Sequence, residues 1–199
     1  METTQTTQET KNTMAGLMLK ADDFTNLQRV VLKNKEETRW AMKGIYLKDG
    51  QLYFTNGKEA HQIYNGNFSL SEQVSDGFYN VVSIGKKDKN FVNVIIEGTD
   101  SAQDDLVDQI INILKNTDNA EYFKLDIPKF DDHNKTQTVI QIYNKFGVIL
   151  NSGFLPYGYD RIGKATGMKD CVVFKDSNEQ RRAIIMGMKN DDKVITDIK

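Results

Sequence analysis

One cysteine, two prolines and two histidines are all that 199 residues contain of three informative types. With Cys171 alone, an internal disulfide is excluded, and a reducing, cytoplasmic setting is the expectation. Pro128 and Pro156 are too few to shape the loops, so Gly, Asn and Asp must carry the turns. His61 and His133 have no second His or Cys at metal-ligand spacing, which argues against zinc or another metal site. No apolar run reaches the roughly 18 residues of a membrane span. The first residues, METTQTTQETKNT, lack the charged-then-apolar profile of a signal peptide and read as a disordered polar tail over 1–13. There is no G-x-S-x-G, no Walker loop and no dinucleotide fingerprint. A net charge of −2 neither demands nor excludes nucleic acid, because the charge on one face decides that.

What is present patterns as α+β. GLMLKA reads as a first strand, and Asp22 or Asp23 offers an N-cap to a helix running to Glu36. Phe24, Leu27, Val30 and Val31 share one side of that helix, with Arg29 and Lys33 opposite. GIYL and QLYF flank Lys48-Asp49-Gly50, a strong hairpin signal. Further turns at Asn56-Gly57, Asn65-Gly66 and Asp76-Gly77 frame the strand-like FYNVVSI and FVNVIIEG.

A second helix is expected over 101–116, capped by Ser101, with Leu106, Ile110, Ile113 and Leu114 buried and an acidic outer face of Asp105 and Asp108. YFKLDI, TVIQIY and GVIL read as strands, YDRIGKATG as a short helical piece, and DCVVFKD with RRAIIMGM as a last hairpin. With no parallel βαβ pattern, the expected fold is antiparallel sheets with helices on one face. Two compact modules, 14–118 and 119–189, would precede a polar tail at 190–199.

Catalytic chemistry finds little footing. Asp104/Asp105, Asp131/Asp132 and Asp191/Asp192 sit in hydrophilic settings that suit solvated surface, and Cys171 opens an apolar strand as a buried small residue would. No catalytic residue and no cofactor is assigned. Arg29, Lys33, Lys35, Arg39 and Lys43 crowd the first helix and its exit, balanced in part by Glu36 and Glu37.

The stretch from Leu19 to Ile63 resembles the bacterial DNA sliding clamp, the polymerase III beta subunit. In that family a strand and helix lead to a Thr-Arg pair, a short apolar stretch ending in Gly, a hairpin and a T-D-G-x-R-L-A turn. Here these read Thr38-Arg39, WAMKG, IYLKDGQLYF and TNGKEA. Ile185-Met186-Gly187-Met188-Lys189 is similar to the family's C-terminal strand. Asn56 replaces an Asp, Glu59 an Arg and Gly187 a Pro, and 199 residues cannot hold the family's three domains.

The resemblance implies a shortened, phage-encoded processivity factor, a homo-oligomeric ring, best a trimer, that encircles duplex DNA without reading bases. It would tether a DNA polymerase, with a clamp loader as a possible further partner, and use no metal or cofactor. Arg29, Lys33, Lys35, Arg39, Lys43, Arg161 and Lys164 would face DNA. Met42, Thr55, Gly57, Lys58, Glu59 and Ala60 would line one side of a partner-peptide pocket, closed by Ile184, Met186 and Met188. If the second helix also faced DNA, Asp105 and Asp108 would repel it. Two other readings stay open: a small α+β protein-binding or regulatory module that never touches DNA, and a metal-dependent enzyme built on scattered carboxylates.

Overall fold

A computed structural model describes residues 13–33, 42–99, 104–118, 120–125, 132–164 and 170–188. It is α+β, with one antiparallel sheet of eleven strands in the order β5-β1-β7-β6-β2-β3-β4-β11-β10-β9-β8. β1 is Met14–Lys20, β2 Gly44–Lys48, β3 Gln51–Thr55, β4 Glu59–Ile63, β5 Phe68–Leu70 and β6 Gly77–Lys87. β7 is Phe91–Gly98, β8 Tyr122–Lys124, β9 Arg161–Lys164, β10 Cys171–Lys175 and β11 Arg181–Met186. The helices are α1 (Ala21–Leu27), running into a π-helical turn over Gln28–Leu32, α2 (Asp104–Lys115) and α3 (Asp132–Phe146).

The chain uses one strand–helix–three-strand unit twice: β1-α1-β2-β3-β4, then β8-α3-β9-β10-β11. The units meet where β4 pairs with β11 in antiparallel register, Ile63 opposite Arg181 and Glu59 opposite Ile185. From that seam outward the order is β4-β3-β2 on one side and β11-β10-β9 on the other, the topology of a two-fold axis normal to the sheet. β5, β6, β7 and α2 lie between the units in sequence. β6 and β7 separate β1 from β2, whereas β8 lies directly against β9. The segments 14–118 and 119–189 therefore share one continuous sheet.

Side-chain alternation along the strands separates the cores. Ile45, Leu47, Leu52 and Phe54 pack with Phe24, Leu27, Val30 and Val31 of α1 and its turn. Val172, Phe174, Ala183 and Ile185 pack with Val139 and Ile142 of α3. Because His61 pairs with Ala183 across the seam and stacks on Phe54, these two clusters occupy the same face. Tyr46, Tyr53, Phe78, Val173 and Ile184 point the other way, onto Val107, Ile110 and Leu114 of α2. Each fully buried Leu, Ile or Phe is worth about 1.5–3 kcal/mol. Helices thus cover both faces, correcting the expectation of one: α1 and α3 lie on one, α2 on the other.

Local expectations also change: GVIL, at 147–150, forms no strand. TVIQIY belongs to α3, because Val139, Ile142 and Phe146 recur at helical spacing and the Thr138 hydroxyl donates to Asn134 O at 2.8 Å. Arg161–Lys164 is a strand, since it pairs on both sides with β8 and β10. α1 starts at Ala21, so both Asp22 and Asp23 fall inside its first turn, where they complement the helix dipole. The expected Ser101 cap, the helix beyond Lys33 and the two terminal tails lie outside the described residues. Among the described residues, no helix is long and apolar enough to cross a membrane.

Candidate functional site: a groove beside the seam

The β3–β4 turn is held by two side chains. Asn56 Oδ1 accepts from the backbone N–H groups of Lys58 and Glu59, both at 3.0 Å. Thr55 Oγ1 accepts from Gly57 N at 3.0 Å and donates to Glu59 O at 2.8 Å. The end of β11 is fastened to this turn by Met186 N donating to Lys58 O at 2.9 Å. A groove opens beside the joint, with a cavity of about 170 Å³.

Thr55, Gly57, Lys58, Glu59 and Ala60 form one wall of the groove, Ile184 and Met186 a second. These positions, some 125 residues apart in sequence, are those that the clamp resemblance brings together. Two expected members stand apart from the wall: Met42 is buried, and Met188 is exposed beyond the strand end. Gln109, Ile110 and Ile113 of α2 make a third wall that the sequence reading missed. Its signal was the width of the α2 stripe, where Val107, Ile110 and Leu114 already suffice to seat the helix. A mostly aliphatic slot smaller than a typical small-molecule pocket suits one or two apolar side chains of a peptide.

Behind the groove, on the α1 side of the sheet, lies a buried polar network. Arg29 Nη2 meets Glu59 Oε2 at 2.5 Å, Nε meets Oε1 at 3.1 Å, and Nη1 donates to Leu155 O at 2.9 Å. His61 Nε2 lies 3.3 Å from Glu59 Oε2, and its Nδ1 lies 3.3 Å from the Tyr159 hydroxyl. A carboxylate only accepts, so Nε2 carries the proton, while the one Tyr159 hydroxyl proton is shared between Nδ1 and Arg182 O, which lies at 3.3 Å as well. Burial would push the Glu59 carboxyl up, but the His61 hydrogen bond and the Arg29 charge hold it low. Burial holds His61 below its ordinary value, hence neutral, against the pull of Glu59.

Further along α1, Asp23 pairs with Arg181 at 3.2 Å, and burial raises the Asp23 carboxyl despite that partner. Asn26 exchanges two 3.0 Å hydrogen bonds with the backbone of Tyr157. Asp23, Asn26 and Arg29 thus bind the first unit to the second. Glu59 and His61 are sealed from solvent, so the pair offers no open atom to act as a general base.

The expected DNA-facing residues scatter. Arg29 spends its charge on Glu59. Lys33 and Lys43 are exposed, while Lys35 and Arg39 lie outside the described residues. Lys164, on the α3 side, donates to Phe146 O at 3.1 Å and so serves the C-terminus of α3. Arg161 emerges on the α2 side, the face opposite α1. Asp105 and Asp108 are exposed on α2, and Asp108 takes Lys48 at 2.7 Å. Burial, with Asp170 nearby, pushes the Cys171 thiol up to about 11. Among the described residues, no three His, Cys, Asp or Glu side chains converge as metal ligands. Searches of known protein families and of curated proteins match the chain to none of them.

Proposed function

We propose that the chain is a non-enzymatic sliding-clamp subunit, a processivity factor that assembles with copies of itself around duplex DNA and tethers a polymerase through the groove. The observation that carries this reading is the groove itself: Thr55–Ala60 and Ile184/Met186 meet in one aliphatic slot. The architecture agrees with it. α1 and α3 share the face that would line the ring, and the acidic α2 lies on the other face, where Asp105 and Asp108 do not oppose phosphates. Lys33, Lys43 and Lys164 are exposed and would steer DNA without reading bases.

Two units per chain favour a trimer. Among the described residues, the sheet ends in β5 and β8, each three residues long and unpaired on its outer side. Head-to-tail pairing of one copy's β5 edge with the next copy's β8 edge would generate a ring. The work then falls in replication, in the cytoplasm, with a clamp loader required if the ring does not open unaided.

The test is topological. Protein assembled in the presence of nicked circular duplex should stay with the circle through a high-salt wash and leave it after the circle is cut. Retention that ignores topology, or none at all, contradicts the ring. One observation favours a second reading, a protein-binding module that does not touch DNA: Arg29, the foremost DNA-facing candidate, is neutralised internally by Glu59. In that case the groove would still bind a partner peptide, and DNA would not be retained.

A further inference from the structure

On the α2 face, four cations stand side by side on four adjacent strands. Lys124 of β8 is paired in register with Arg161 of β9, Arg161 with Lys175 of β10, and Lys175 with Arg182 of β11. All four share this face, because Val173 and Ile184, two residues from Lys175 and Arg182, pack on α2, and Tyr122, two residues from Lys124, joins the same cluster. Adjacent strands lie ~4.8 Å apart, so the row spans about 14 Å. Like charges directly opposite one another destabilise a sheet unless something answers them.

The chain answers only part of this charge. Arg182 pairs with Asp118, just past the end of α2, and Arg161 has Glu179 at 3.9 Å. Among the described residues, neither Lys124 nor Lys175 has a carboxylate within ion-pair distance. Lys175 lies over the Tyr122 ring at 4.1 Å and Arg182 over Tyr64 at 5.6 Å. Arg182 Nε is buried with no hydrogen-bond partner among the described residues. Burial first, and the neighbouring Arg182 next, lower the Lys175 ammonium from its ordinary value, against the pull of Glu179 and Asp118. Among the described residues, four cations against two carboxylates leave a positive strip on a chain whose overall charge is −2.

We infer that this strip, Lys124–Arg161–Lys175–Arg182, is a binding site for the phosphates of a nucleic-acid strand lying across β8–β11, on the face opposite α1 and α3. Charge density selects this occupant. Lys175 is buried, so the cations within reach are Lys124 and Arg161 on neighbouring strands ~4.8 Å apart, and a stacked strand with one charge per ~3.4 Å can set a phosphate on each. An extended acidic peptide puts side chains on one face only every ~6.6 Å, wider than that spacing. A peptide crossing the strands would also leave its own backbone groups without ladder partners. Lys124 and Arg161, the more exposed pair, make the contacts, while Lys175 and Arg182 deepen the field from below. The strip does not depend on the ring reading, since it occupies the other side of the sheet.

The test uses the full chain and a labelled 20-nucleotide oligo-dT, followed by fluorescence anisotropy from 50 to 200 mM salt. Lys124→Glu/Arg161→Glu should weaken binding at least tenfold and lower the slope of log K against log salt by about 1.4, two phosphates at ~0.7 each. Lys124→Gln/Arg161→Gln should fall between, and circular dichroism melts verify that each variant is folded. Lys89→Glu, an exposed change in the β6–β7 turn, should leave oligo-dT binding unchanged. Wild-type protein that does not bind oligo-dT at 50 mM salt, binding indifferent to both double variants, or tighter binding of a labelled oligo-glutamate would each overturn the assignment.

Discussion

The guanidinium of Arg29 and the carboxylate of Glu59 form a two-point pair within the first unit, beside the seam, Nη2 to Oε2 at 2.5 Å and Nε to Oε1 at 3.1 Å. Glu59 is fully buried and Arg29 is 19% exposed. Removing one partner of such a pair strands a charge in the interior, at a cost of about 3–5 kcal/mol. Arg29→Met should therefore lower the urea midpoint by the equivalent of that figure, and adding Glu59→Gln should recover part of it. Equal stability of Arg29→Met and the parent would mean that the pair is not formed in solution.

The same network makes stability depend on pH. Unfolded, His61 takes up a proton near 6.5; folded, burial keeps it neutral to lower pH. Below pH 6.5 the unfolded chain binds more protons at this site, so its contribution is full above 6.5 and is lost as pH falls. Glu59, held low, adds a loss of the same sign below its ordinary 4.5, while Asp23, held high, opposes it. The urea midpoint should decline from pH 6.5 to 5, and His61→Gln should flatten that interval. A parent midpoint constant from pH 8 to 5 would contradict a buried neutral imidazole.

Gly44 tests the sheet register. A Cβ there would lie 2.3 Å from Tyr79 O and 2.5 Å from Phe78 Cζ. One of these is backbone, so the strand itself must move. Gly44→Ala should destabilise by about 1–3 kcal/mol or more, measured by thermal or urea melting. A neutral substitution would show that β2 does not pair with β6 with Gly44 opposite Asn80.

Met186 tests the groove. It is 51% exposed, so Met186→Lys should shift stability by no more than ~0.5 kcal/mol. The same change places a charge in an aliphatic slot and should abolish stimulation of the partner polymerase on a primed circular template. Full stimulation by the variant would remove the groove from the tethering role.

These elements were unequally legible in the sequence. The β2–β3 hairpin followed from Asp49-Gly50, which adopt φ of 52° and 70° as such a turn requires. α3 was obscured because Thr138, Val139, Ile140 and Ile142 are β-branched and mimic a strand, although 139, 142 and 146 keep helical spacing. The sequence also marks the apolar stripe of α2 without saying which face of the sheet receives it. Likewise Arg29 reads as a free surface cation until the fold brings up Glu59, thirty residues on. The groove walls at 55–60 and 184–186 were legible only through resemblance to a family, because no local pattern links segments so far apart. The cation row was hidden for a related reason: its members come from four strands, and only register aligns them.

The central claim, a ring built from copies of this chain, is tested most directly by its mass in solution, measured by light scattering on a sizing column at micromolar concentration. The account predicts three times the 22.7 kDa of one chain, stable on dilution. A monomer of 22.7 kDa at that concentration would contradict self-assembly into a ring.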